Sequence, residues 1–341
     1  NFLSTIKVGG WTFISRVAGL IRDIFTTNLL GASIFHDIFV VVLKIPNVFR
    51  KLFAEGAFSQ AFIPIYSEYL GKQDERGGQD FLNALFGLLL SALFIFTLLA
   101  LLFAPIFILI FAPGFYFDIQ KQDLAVNLLR IMFPYLALIS LVAFAAGIQN
   151  SHNKFSIPAV TPLIFNLSLI GSAWLVAPKI EIPVMALAWG VLLAGFLQLL
   201  FQIAPLTIIQ KIPVPKLDLS NPGVKKFFIL ILPAIVAGGI AQINLLIDTI
   251  FASWLITGSP TWLYVSDRLI QFPMGIFAIA IGTVLLPSLS KAYAQEKTQA
   301  FVSQLEHAFK LVFFLAIPSL IGLIVFSSPL LATIFQRGAF L

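Results

Sequence analysis

The sequence predicts an all-α, polytopic transmembrane helical bundle, and three observations carry that expectation. Mean hydropathy is +0.99 and charged residues make up only 11% of the 341 positions, against roughly 25% in soluble domains. Apolar runs of roughly 20 residues, enough to cross about 30 Å of hydrocarbon as a helix, recur along the whole chain. The chain also matches itself at an offset of 225 residues, as two pseudo-symmetric lobes built from a parallel internal repeat would.

In chain order the runs lie near 8 to 30, 36 to 69, 81 to 112, 124 to 150, 157 to 177, 184 to 208, 227 to 256, 262 to 289 and 308 to 330, about nine spans. They are too long and too evenly apolar for barrel strands, so each reads as a helix. The first lacks a small-residue cleavage pattern and is expected to be a retained helix. No cysteine is present, which excludes disulfides and thiolate chemistry.

Lysine and arginine sort onto one side. With a cytoplasmic N-terminus, the loops on that side hold Lys72, Arg76, Lys154, Lys211, Lys216, Lys225, Lys226, Lys291 and Lys297, and the opposite loops little beyond Lys121, Lys179 and Arg337. That is the positive-inside pattern. It accounts for the net charge of +6, so the basic balance is no sign of a nucleic-acid partner.

Self-comparison aligns RDIFTTNLLGASIFHDIFVVVLKIP, from Arg22, with IDTIFASWLITGSPTWLYVSDRLIQFP, from Ile247. Asp23 pairs with Asp248 at an offset of 225, Pro46 with Pro273 at 227, and Pro64 with Pro287 at 223. APIFILIFAPGF, ending at Phe115, pairs with SPLLATIFQRGAF, ending at Phe340. A six-helix lobe over residues 1–212 and a partial lobe of about three helices over 213–341 are expected, with a binding site between them near mid-membrane. The second copy stops at Leu341 after its third helix. About three helices are therefore expected to be missing, the chain being a fragment or a naturally shortened form.

Ionisable residues inside a bilayer are costly and normally face protein or water. In SRVAGLIRD, Arg16 and Asp23 fall on one helical face and Arg22 about a quarter-turn away. In the second span Asp37, Lys44 and Lys51 recur every seven residues, with Glu55 a turn beyond. Pro46 and Gly56 predict a kinked or broken helix there, its freed carbonyls lining a polar cavity. Lys44 and Lys51 could equally snorkel from a membrane end, and Asp23 and Asp267 could be structural partners of the arginines beside them. Arg16, Arg22, Arg50 and Arg268 outnumber the nearby carboxylates. Guanidinium stays charged and grips phosphate oxygens with a planar fork, so these four predict a cavity for an anionic, phosphate-bearing amphiphile. Asp248, with Asn244 one turn earlier, suits Na⁺ or a proton, or else a helix-packing hydrogen bond. An enzyme is not expected, because His36, His152 and His307 are scattered and no carboxylate pair has a local acid–base spacing.

SRVAGLIRD, HDIF, PNVFRKLFAEGAFSQAFIP, YVSDRLIQFPMG and FQRGAF together resemble the signatures of the lipid II flippases of the MurJ (MviN) family. That family lies within the multidrug/oligosaccharidyl-lipid/polysaccharide exporter superfamily. The resemblance covers essentially the whole chain, and FAEGAFSQAF is its most specific part. It implies movement of lipid II, an undecaprenyl-pyrophosphate-linked disaccharide pentapeptide, across the bacterial cytoplasmic membrane for peptidoglycan synthesis. Alternating access would be powered by membrane potential or by a Na⁺ or proton gradient, with no cofactor. Two further helices would form a groove for the lipid tail.

The resemblance further implies that Arg16, Arg22, Arg50 and Arg268 are the cavity arginines and that Asp37 and Glu55 are important acidic positions. Asp248 would match the aspartate of sodium-binding members, whose other ligands lie on helices beyond Leu341. Glu55 is expected to pair with a cavity arginine in one conformational state and release it in another. Lipid II and membrane lipids are the expected partners of a monomer. The alternatives are an exporter of another undecaprenyl-linked oligosaccharide, such as O-antigen, or a shortened remnant that does not transport.

Overall fold

Among the described residues the long apolar runs fold as helices, and local chemistry sets where several of them stop. The computed structural model describes residues 2–51, 57–280 and 298–340. Its helices are α1 (Phe2–Leu30), α2 (Ile34–Phe49), α3 (Phe58–Gly71), α4 (Glu75–Leu102), α5 (Ala104–Phe111), α6 (Pro113–Tyr116), α7 (Ile119–Met132) and α8 (Tyr135–Ser151). They continue with α9 (Ser156–Gly171), α10 (Pro183–Ile208), α11 (Pro222–Trp254), α12 (Ser259–Ala280) and α13 (Thr298–Phe335). Among the described residues there is no strand. Asp74 caps α4 by accepting the Gly77 N–H at 2.9 Å, and Asn221 caps α11 by accepting from Gly223 and Val224, satisfying donors that a helix start leaves open.

Six stretches among the described residues are long and apolar enough to cross a membrane: 75–102, 119–151, 156–179, 183–208, 222–240 and 301–335. The other expected spans correspond to α1, α2 with α3, and α12, which hold the charged residues. Large apolar side chains such as Phe94, Leu200 and Phe314 stand outward on α4, α10 and α13, the arrangement expected when lipid is the solvent.

α2 is the axis of the bundle, packed against α7, α12 and α11. Ile38, Val41, Val42 and Ile45 are fully or almost fully buried and join Ile108, Phe115, Leu129 and Phe133 in one core. A second core gathers Phe58, Phe62, Tyr66, Phe81 and Phe144, and extends to Phe227 of α11, whose ring centroid lies 5.4 Å from that of Phe58. Of the kink or break expected around Pro46 and Gly56, no interruption falls at Pro46 itself. α2 passes through Pro46 to Phe49, and the Arg50 N–H bonds back to the carbonyls of Pro46 and Asn47. Proline removes a single donor, and α2 tolerates that loss with Ile38, Val41, Val42 and Ile45 anchored in the core while Lys44 and Asn47 face the cavity. Gly56 and Pro287 lie outside the described residues.

The two repeats touch reciprocally at the far end of the bundle, where α1 and α11 finish. The short α6 packs on the end of α11, with the Gly114 N–H donating to Ser253 Oγ at 3.0 Å. The turn after α13 packs on the end of α1, where Gly338 meets Asn28 and Gly31 meets Ala339. Asn28 and Ser253 are separated by the repeat offset of 225. At the near end, where α1 begins, α3 joins α11 through Glu68, which accepts from Lys72 at 2.7 Å and from Lys226. The hydrogen bond to Glu68 raises the Lys72 ammonium above its ordinary range, so this contact stays charged at neutral pH.

Candidate functional site

Between α1, α2, α8, α9, α10 and α12 lies a cavity of about 420 Å³. Its wall holds four cations, Arg22, Lys44, Arg50 and Arg268, and no carboxylate among the described residues. The remaining polar lining is neutral, including Asn47, Asn150, Asn166, Gln198 and Gln202.

The arginines are held by one carboxylate just behind the wall. Asp23 is 1% exposed, and its Oδ1 accepts from Arg22 Nε at 3.0 Å, Arg22 Nη2 at 2.6 Å and the Tyr264 hydroxyl at 2.7 Å. Arg268 Nε stands 2.9 Å from Asp23 Oδ2, and its Nη2 donates to Tyr264 at 3.0 Å. Arg22 Nη1 donates to Asn166 Oδ1 at 3.1 Å, and Asn166 in turn donates to the Ser15 carbonyl, tying α9 to α1. The Arg268 guanidinium also stacks over the Tyr264 ring at 4.9 Å. Two guanidinium groups thus share one buried carboxylate, leaving positive charge in excess at a site where the low dielectric magnifies its attraction for an anion.

The structure separates the sequence-predicted residues. Arg22, Arg50 and Arg268 line the cavity, and so does Lys44, half-buried rather than at a helix end. Arg16 is exposed and outside the enclosed space. It shares the face of Asp23 but stands about 10 Å nearer the start of α1 at 1.5 Å per residue. Asp37 is buried away from the cavity, where Oδ1 accepts the Thr261 N–H at 3.0 Å and its hydroxyl at 2.6 Å, and Oδ2 accepts the Gly258 N–H at 2.5 Å. It caps the first turn of α12 from another helix. Arg50 Nε donates to Asn47 Oδ1 at 3.2 Å. Glu55 lies outside the described residues. Asp248 and Asn244 are both exposed on α11. Among the described residues no three His, Cys, Asp or Glu side chains gather as a metal site.

Tyr264 and Asn166, which complete the arginine network, are not among the residues that the sequence marks as candidates. Their only signal is a hydroxyl or amide in an otherwise apolar helix, where such residues also serve ordinary packing.

Comparison with known proteins converges on the same architecture. The family model described as lipid II flippase MurJ matches residues 26–341. A probable lipid II flippase MurJ of Vibrio cholerae is 41% identical over 344 aligned residues, covering 99% of this chain and 66% of that protein. The lipid II flippase MurJ of Burkholderia cenocepacia is 39% identical, again over 99% of this chain and 66% of its own length. The chain thus spans 66% of the length of these relatives. Among solved structures, a multidrug resistance MATE family transporter of the MOP superfamily, in an inward-facing conformation, superposes with a TM-score of 0.69. It covers 98% of this chain and 76% of the transporter at 13% identity, a likeness of fold.

Proposed function

Because the chain belongs to the MurJ family of lipid II flippases, we propose that it forms the substrate-binding core of a lipid II transporter in the bacterial cytoplasmic membrane. The process is transport without covalent chemistry. The observation that carries this reading is the meeting of Arg22 and Arg268, one from each repeat, on Asp23 just behind the wall of a cationic cavity. The pyrophosphate of the lipid would take over the guanidinium forks that Asp23 now occupies, since bidentate phosphate contacts are among the strongest that arginine makes.

This exchange couples binding to motion. Asp23 sits on α1 and Arg268 on α12, so drawing Arg268 onto a phosphate weakens a tie between the repeats. A ligand shifts a conformational equilibrium only by its differential affinity for the two states, and here the difference is whether Arg268 faces lipid or Asp23. In alternating access the reciprocal contacts at the far end part when the cavity opens there. The lysine and arginine asymmetry supports a cytoplasmic N-terminus. Asp248, an exposed carboxylate on α11, is the candidate coupling group for Na⁺, a proton or the membrane potential.

Native mass spectrometry with lipid II tests the reading. The unmodified protein should retain the lipid, and Arg22→Ala and Arg268→Ala should each lose it. Undiminished binding in both variants would overturn the assignment of the cavity.

A further inference from the structure

The same cavity has a second, uncharged wall. Gln198 and Gln202 stand one turn apart on α10 and flank Thr161 of α9. Gln198 Nε2 donates to the Thr161 carbonyl at 3.0 Å and Gln202 Nε2 to its hydroxyl at 2.6 Å. Gln149 of α8 completes the group by donating through Nε2 to Gln202 Oε1. Gln149 and Gln202 are fully buried and Gln198 is 2% exposed.

These three amides bring three carbonyl acceptors, and only the oxygen of Gln202 is used within the group. Gln149 Oε1 and Gln198 Oε1 are buried with no partner. A buried polar atom without a hydrogen bond is costly, and packing alone would be met better by leucine at these positions. Each amide nitrogen makes one hydrogen bond within the protein, whereas two of the three oxygens make none, so the wall holds two acceptors that lack an N–H or O–H partner.

Its position matters as much as its chemistry. Thr161, the hub of the amides, and Asn166, the partner of Arg22, lie on the same helix five residues apart, about 7.5 Å along its axis. The two side chains point about 140° apart around the helix, one toward α10 and one toward α1, yet both line the one cavity. One molecule can therefore place an anion on Arg22 and Arg268 and a neutral donor group against Gln198 and Gln202.

We propose that the amide wall is a second subsite, selecting a neutral hydroxyl- or amide-bearing group covalently joined to the phosphate held by the arginines. This rests on the function proposed above and adds what distinguishes the correct lipid from a bare polyprenyl pyrophosphate. The arginines supply grip, and the amides supply selection.

The test compares lipid II with undecaprenyl pyrophosphate, which carries the same anion and tail without the neutral group, on the complete purified protein and on the double variant Gln198→Leu/Gln202→Leu. The unmodified protein should prefer lipid II by at least about tenfold, the scale of one or two hydrogen bonds, and the double variant should lose that preference. Arg268→Ala should weaken both lipids. If the double variant fails to fold, Gln198→Met, which deletes one orphan oxygen, should still lower the preference ratio. Equal binding of the two lipids by the unmodified protein, or a preference that survives the substitutions, would overturn the subsite and assign the amides to ordered water. Failure of the unmodified protein to bind either lipid would instead overturn the parent function.

Discussion

Arg268 of the second repeat has its Nε 2.9 Å from Oδ2 of Asp23 in the first. Because Arg22 shares that carboxylate, the aspartate is at once a structural tie and a competitor for any anion in the cavity. Substitutions on the two sides of the pair therefore have effects of opposite sign on binding. Asp23→Asn removes the charge that holds both guanidinium groups and should destabilise the fold by about 3 kcal/mol, the scale for breaking a buried ion pair. The same change should tighten pyrophosphate binding by freeing the arginines. Arg268→Gln should weaken binding instead. Thermal unfolding in detergent with and without pyrophosphate reads both quantities, and a parallel loss of binding in the two variants would contradict the competition.

Asp37 makes a prediction that separates cap from substrate contact. Its carboxylate accepts two backbone N–H groups and one hydroxyl at the start of α12 while buried at 2% exposure. Asp37→Ala should lower stability by about 2 kcal/mol, because a helix cap is lost and its donors are left without an acceptor. Asp37→Asn keeps one acceptor oxygen but turns an amide toward a donor, so its loss should be smaller. Thermal unfolding of the variants checks the order, and lipid binding per folded molecule should fall little in either.

These two aspartates also show what the sequence could and could not express. Long apolar runs made the helices legible, because twenty residues without charge have few other uses. The arginines were legible for the converse reason, since a guanidinium in an apolar run needs a purpose. Partnership was not. Asp37, Lys44 and Lys51 share a stripe at heptad spacing, yet Asp37 caps α12 and Lys44 lines the cavity, because different helices pack against successive turns of α2. The glutamines of the neutral wall left only an i, i+4 spacing on α10, since one amide in an apolar helix is too cheap to stand out as a charge does. Pro46 shows the same limit, since its local rule allows either a kink or a break, and with one face of α2 held in the core the helix runs on to Phe49.

The reciprocal contacts at the far end predict unequal effects from similar substitutions. A Cβ on Gly114 would lie 2.1 Å from the backbone oxygen of Ser253, whereas a Cβ on Gly338 would strike chiefly the flexible Asn28 side chain, at 1.7 Å, with the Asn28 backbone oxygen farther off at 2.8 Å. Gly114→Ala must push α6 off α11 and should destabilise by about 2 kcal/mol, the range for overpacking. Ser253→Ala should not relieve it, because the obstacle is main chain. Gly338→Ala combines that movable clash with a φ of +57°, for which alanine is poorly suited. Asn28→Ala in the same chain should therefore recover part of its loss. Unfolding temperatures of the two singles and two doubles decide the matter, and rescue of Gly114→Ala by Ser253→Ala would refute the geometry.

His152 at the end of α8 gives the pH dependence at the near end. Its Nε2 lies 3.1 Å from the Tyr66 hydroxyl, and burial first, then the field of Lys211, lowers its pKa below the ordinary value of 6.5. The folded protein therefore holds this imidazole neutral at a pH where the unfolded chain would protonate it. By linkage, the stability from His152 is present above about pH 6.5 and is lost as pH falls from there through the lowered folded pKa, because the unfolded state takes up the proton first. His152→Gln keeps a hydrogen-bonding group without a titratable proton and should flatten the decline of unfolding temperature between about pH 7 and pH 5. An unchanged slope would mean that the imidazole titrates alike in both states and that burial against Tyr66 does not govern its protonation.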